Sequence, residues 1–171
     1  MSYLIQSFWE ICLLQKAPQD IPYSRGLFFL LLVANFLVGT LYSGLSSPDV
    51  TFGSILLLAS IHMLFFVGSL SVLMTVMGYS ARIFQTLTAL LGTGVIITLL
   101  AMPVVLAINY APQLTGYFGL ILLLLITWDL VIMAHILRHA LSVSFLLAGL
   151  FAFGYFMLSI KLVDFLLPAT G

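Results

Sequence analysis

Long apolar stretches separated by short polar punctuation set the pattern of this chain. Five of them, near 26–45, 52–77, 84–108, 114–137 and 141–163, reach the roughly 20 helical residues needed to cross a bilayer. The breaks are Ser46-Ser47-Pro48-Asp49, Gly78-Tyr79-Ser80-Ala81-Arg82, Asn109-Tyr110-Ala111-Pro112-Gln113 and, shortest, Arg138-His139-Ala140. So brief a last break predicts a tight antiparallel hairpin between the fourth and fifth spans.

The segment ahead of the first span, residues 2–16, is too short to cross. Gln6 and Glu10 are four apart and make a narrow polar stripe with Ser7, while Tyr3, Phe8 and Trp9 suit the head-group level. This pattern predicts a helix lying in the interface plane, with docking against the bundle left open. Pro18-Gln19-Asp20-Ile21-Pro22 cannot continue that helix, because each proline lacks an N–H and restricts the residue before it. It is expected to be an elbow that turns the chain into the membrane. The predicted fold is therefore all-α: a single polytopic membrane domain over residues 1–171, with five transmembrane helices preceded by an N-terminal interfacial amphipathic helix.

Composition sharpens this picture. The chain is 63% hydrophobic and 6% charged, against about 45–50% and about 25% in ordinary soluble domains. Ten formal charges cannot coat a soluble fold of this size, so lipid is the expected solvent and the bilayer the first partner. Net charge is zero, which argues against nucleic acid, whose phosphates need a basic surface. The single cysteine, Cys12, excludes an internal disulfide and any thiolate metal cluster. The first residues lack a basic n-region and a small-residue cleavage pattern, so no cleavable signal peptide is expected. With the N-terminus inside, Lys16, Arg25, Arg82 and Arg138 are cytoplasmic and only Lys161 lies opposite. That bias predicts a multi-pass bacterial inner-membrane protein with a cytoplasmic N-terminus and a periplasmic C-terminus.

Small residues mark where helices are expected to approach closely: Gly39 and Ser43 in the first span, and Ser144, Ala148 and Ala152 in the fifth. In the third span Gly92-Thr93-Gly94 thins the helix, and Pro103 is expected to kink it. Five spans do not divide into equal inverted halves, which weighs against a repeat-built transporter.

Two ionisable groups fall deep. His62 lies about 15 Å from the outer end of the second span, and Asp129 roughly 22 Å from the outer end of the fourth, at 1.5 Å per residue. An aspartate near a helix centre costs about 2.5–3.5 kcal/mol on insertion scales, so a partner or protonation must offset it. One reading is a proton or cation relay with Asp129 as carrier and His62 as partner. The other is a neutral or hydrogen-bonded aspartate that ties two helices together. Trp128 beside it needs an acceptor for its indole N–H, which predicts a polar contact among helices at that depth. Thr127, Thr98 and Ser71 are the nearest polar groups, and they are scattered.

Arg82, His135, Arg138 and His139 are expected at cytoplasmic helix ends, where positive charge complements exposed carbonyls. His135 and His139 face one side of a helix and cannot be the two axial ligands of one haem. His62 is too far in depth to pair with them, so no metal or cofactor is expected. Lys161 and Asp164, three apart, are expected to pair. No nucleotide loop, no activated serine or cysteine nucleophile and no acidic pair is present. Enzyme activity is not expected.

Tyr79-Ser80-Ala81-Arg82-Ile83-Phe84-Gln85-Thr86-Leu87-Thr88-Ala89, feeding a span that ends at Met102-Pro103, resembles the Yip family of small multi-pass membrane proteins. The resemblance implies five spans after a cytoplasmic amphipathic start. Eukaryotic members are implicated in membrane traffic and small GTPase binding; the long cytoplasmic N-terminal segment they carry, and partner binding of that kind, are not expected here. Pro18-Gln19-Asp20-Ile21-Pro22-Tyr23-Ser24 is also similar to the opening of uncharacterised small bacterial inner-membrane proteins. The functional expectation is an interaction, scaffold or accessory subunit, joined to a membrane-protein partner or to copies of itself. The alternative is a small proton-coupled transporter or carrier that uses Asp129 and His62.

Overall fold

The computed structural model describes residues 2–166, and every regular element among them is helical. A short helix, α1 (Ser2–Cys12), precedes five long ones: α2 (Arg25–Ser46), α3 (Phe52–Val76), α4 (Ile83–Tyr110), α5 (Thr115–Leu141) and α6 (Phe145–Leu166). All five are long and apolar enough to cross a membrane. At about 1.5 Å per residue they run from roughly 33 to 42 Å.

Local chemistry sets the ends. Ser24 caps α2 by accepting the Leu27 N–H at 3.2 Å, and Thr51 caps α3 by accepting that of Ser54 at 3.4 Å. Gly78, at φ 83°, turns the chain after α3 through a left-handed conformation that costs glycine little. The predicted spans and the observed helices agree closely except at the last break. There α5 runs on through Arg138, His139 and Ala140 to Leu141, and the turn to α6 is Ser142-Val143-Ser144. The reason is a left-handed Ser142 (φ 53°), whose N–H and that of Val143 both close on the Arg138 carbonyl. Three residues beyond the predicted break suffice for the hairpin, so the sequence at the break stays helical.

The central helix is α4, packed most extensively against α2 and α5, while α6 pairs with α5. The core is concentrated at the end of the bundle that carries Arg25, Arg82 and Arg138, called here the basic end. Residues 86–93 of α4 and 132–137 of α5 are all buried. In α6, Ala148 and Ala152 are fully buried, as their small size allows, whereas Ser144 is exposed and caps the helix through the Leu147 N–H. The Gly39–Ser43 stretch behaves otherwise. No atom lies within 4 Å of a Cβ built on Gly39, and both residues border a cavity instead of a helix contact. Pro103 sits inside α4, which continues past it to Tyr110.

The N-terminal segment docks on the bundle. Phe8, Ile11 and Cys12 of α1 are buried, and α1 lies against α4 and α5. Phe8 fills the notch left by Gly92, where any side chain would collide with its ring. Three side chains of the long helices grip the backbone of this segment. Trp128 Nε1 donates to the Cys12 carbonyl at 2.9 Å, His135 Nε2 meets the Lys16 carbonyl at 3.0 Å, and Gln85 Nε2 donates to the Ile21 carbonyl at 3.0 Å. A carbonyl only accepts, so His135 carries its hydrogen on Nε2. After α1, Lys16 folds back to Glu10 (2.6 Å) and donates to Ser7 Oγ (3.3 Å).

Candidate functional site

All five long helices contribute polar side chains at middle depth. Asn35 of α2 and His62 of α3 are each ten residues from their helix starts, Thr98 of α4 is fifteen, and Asp129 of α5 is fourteen. That is about 15 to 22 Å along axes of roughly 33 to 42 Å. Tyr155 and Ser159 of α6, ten and fourteen residues from its start, lie at comparable depth. Because α4 is central and α3 and α6 meet across it, these groups converge on connected cavities. One of about 200 Å³ is lined by Asn35, His62, Thr93, Thr98, Asp129 and Tyr155 among others. A second of about 370 Å³ shares His62, Thr98, Asp129 and Tyr155 with it and adds Tyr42 and Ser159. A third, of about 300 Å³, extends between α2 and α3 past Gly39, Tyr42 and Ser43.

Asp129 and His62, paired in the relay reading, line the same crevice. They differ in how they are held. His62 Nε2 sits 2.9 Å from Ser159 Oγ and 3.4 Å from Tyr155 Oη, so two hydroxyls of α6 address one ring nitrogen. An imidazole with Nε2 free of hydrogen accepts from both; protonated there, it donates to one. Tyr155 is itself stacked on Phe65 at 5.8 Å and meets Phe66 edge-on at 5.5 Å, which fixes the phenol. Asp129 has no hydrogen-bond or ion-pair partner among the described residues, and its side chain is exposed to the crevice. The helix-tying role therefore finds no partner to support it.

Trp128 makes the expected polar contact between helices at that depth, donating to the backbone of α1. Its ring also meets Trp9 edge-on at 6.2 Å. His135 is buried six residues before the end of α5 and latches Lys16, whereas Arg138 and His139 do occupy the last turn. The His135 and His139 rings lie 4.7 Å apart. Arg82 reaches across to α5, donating to the Ala140 carbonyl at 3.3 Å. Lys161 and Asp164 pair at 3.9 Å on the exposed end of α6. No group of three or more metal-ligating side chains occurs among the described residues.

Sequence reasoning missed Asn35, Tyr42, Tyr155 and Ser159. The available signal was depth: Asn35, Tyr155 and Ser159 are polar groups well inside apolar runs, and tabulating polar residues by depth across spans would have gathered them, whereas Tyr42 lies near the end of α2. No protein-family model, no curated protein and no solved structure matches the chain.

Proposed function

We propose that the chain is a small intramembrane carrier that binds a proton or small cation at Asp129, with His62 as its partner group. The observation that supports this reading is the unpaired Asp129 carboxylate opening into a crevice walled by hydroxyl, amide and imidazole groups. An intramembrane carboxylate without a partner is costly, and a carried cation or proton offsets that cost when it binds. The His62–Ser159–Tyr155 cluster, in the same crevice, supplies a second exchangeable proton site. In this reading the basic end faces the cytoplasm of a bacterial inner membrane. Helix α1 then lies below head-group level, since Cys12 meets Trp128 near the depth of Asp129, with Tyr3, Ile5 and Trp9 exposed towards lipid.

A lipid-soluble carbodiimide tests the site, since it reacts with protonated carboxyl groups in apolar surroundings. Modification at Asp129, found by mass spectrometry of the purified protein, is expected, with a parallel loss of cation or proton movement in proteoliposomes. Absence of modification, or modification without effect on movement, contradicts the proposal.

A second reading, an accessory or scaffold subunit on a Yip-like plan, is supported by the short links between the described helices and by the exposed apolar first half of α5. Leu120, Leu123 and Leu124 are 61%, 58% and 69% exposed there. It requires a stoichiometric membrane partner, or a second copy, to co-purify in gentle detergent.

A further inference from the structure

At the basic end a different cavity opens outward, unconnected in its lining residues to the crevice around Asp129. Its volume is about 560 Å³, and Gln19, Arg82, Gln85, Arg138, His139 and Ser142 form its polar wall. Three separate elements bring these groups together: the elbow after α1, the first turns of α4, and the last turn of α5 with the link to α6. Arg82 is held in place, with Nη1 donating to the Ala140 carbonyl at 3.3 Å and to Ser142 Oγ at 3.4 Å. Its guanidinium also lies over the Tyr79 ring, 5.3 Å from the centroid. Neither Arg82 nor Arg138 forms an ion pair among the described residues, where the pairs are Lys16–Glu10 and Lys161–Asp164. Asp20, on the elbow nearby, is engaged by the Ala17 N–H at 2.9 Å.

Two guanidiniums with no ion-paired carboxylate, with an imidazole, amides and a hydroxyl around one open basin, are matched to a tetrahedral oxyanion. The planar fork of arginine presents parallel N–H donors to two phosphate oxygens at once. The basin lies where α4 begins and α5 ends, which is the head-group level for helices of this length crossing a bilayer. Basic pockets between helix ends at that level suit anionic lipid phosphates.

We propose that this basin is a binding site for a phosphate group, presented either as the phosphodiester of an anionic lipid or as a soluble phosphate. Arg138 and Arg82 are its two charged ligands. The site is independent of the carrier reading and stands or falls separately.

The test uses the purified full-length chain in detergent micelles doped with equal amounts of phosphatidylglycerol and phosphatidylcholine, with retained lipid counted by native mass spectrometry. Wild type is expected to keep phosphatidylglycerol preferentially. The substitution Arg138→Gln should lower that retention about tenfold, the scale of one lost charge-assisted hydrogen bond. It leaves Arg82's contacts in place, and an unchanged melting midpoint verifies the fold. Arg138→Lys, which keeps the charge without the fork, should fall between. Arg25→Gln, at the same end but outside the basin, should match wild type. If inorganic phosphate displaces the lipid, the site takes soluble phosphate; if it does not, the site takes the lipid. The proposal is overturned if phosphatidylglycerol is kept no better than phosphatidylcholine, or if Arg25→Gln loses as much as Arg138→Gln.

Discussion

Cys12 is the most useful single residue for testing how α1 is held. It is fully buried beside Ile11, and burial pushes its thiol up to about 12 from an ordinary value of 9.0. Three units leave about a thousandfold less thiolate at any pH well below both values, so the docked chain should resist maleimide at neutral pH. Replacing Gly92 by valine puts a side chain where the Phe8 ring lies. The ring must leave, α1 must lift, and Cys12 should then label at the rate of an unfolded control. Equal protection in Gly92→Val and wild type would contradict this docking. Gly92 also shows what one sequence can and cannot reveal. That the helix thins there was legible, because glycine lacks a Cβ. That the space belongs to Phe8, 84 positions earlier in the chain, was not, because nothing local encodes which partner fills a notch.

Helix α1 as an element is held by contacts of two kinds. Three side-chain bonds to its backbone and elbow come from buried or half-buried donors, and one ion pair closes its own C-terminal turn. Lys16, donating to the Glu10 carboxylate with help from Gln6, holds that carboxyl below its usual 4.5; Glu10 in turn raises Lys16 above 10.5. A lowered carboxyl pKa gives stability that is present above 4.5 and lost as pH falls through the folded value. A raised lysine pKa gives stability that is present below 10.5 and lost as pH rises through the folded value. The clamp should therefore hold between these limits and loosen beyond either. Trp9 and Trp128, the only two tryptophans and in edge contact at 6.2 Å, report it by fluorescence. A spectral change below pH 4.5 that Glu10→Gln abolishes is the expected result; a wild-type spectrum flat across the acid range would count against the clamp. Element by element, the spans were legible because about 20 apolar residues in a row have few alternatives. The docking of α1 was left open because its stripe of Gln6, Ser7 and Glu10 is narrow, and apolar residues flank it on both sides. The structure resolves that symmetry: Phe8, Ile11 and Cys12 face the bundle, while Tyr3, Ile5 and Trp9 are exposed.

For the whole molecule, the two ends of the bundle are built differently. The basic end is close-packed, gripping α1 between α4 and α5. The middle opens into crevices where α2, α3, α4 and α6 turn polar side chains towards Asp129. The residue was conspicuous in the sequence as an aspartate in an apolar run, and His62 was a natural companion by depth. The rest of the site was hidden, since Tyr155 and Ser159 reach His62 only through the pairing of α3 with α6, a contact between residues about 95 positions apart. The proposed role of Asp129 is to hold the transported charge. It is tested most directly by the decay of an imposed pH gradient in proteoliposomes, comparing wild type with Asp129→Asn at matched protein incorporation. Wild type should dissipate the gradient faster than empty liposomes, and Asp129→Asn should fall to the empty-liposome rate. Equal rates for the two proteins would contradict the claim.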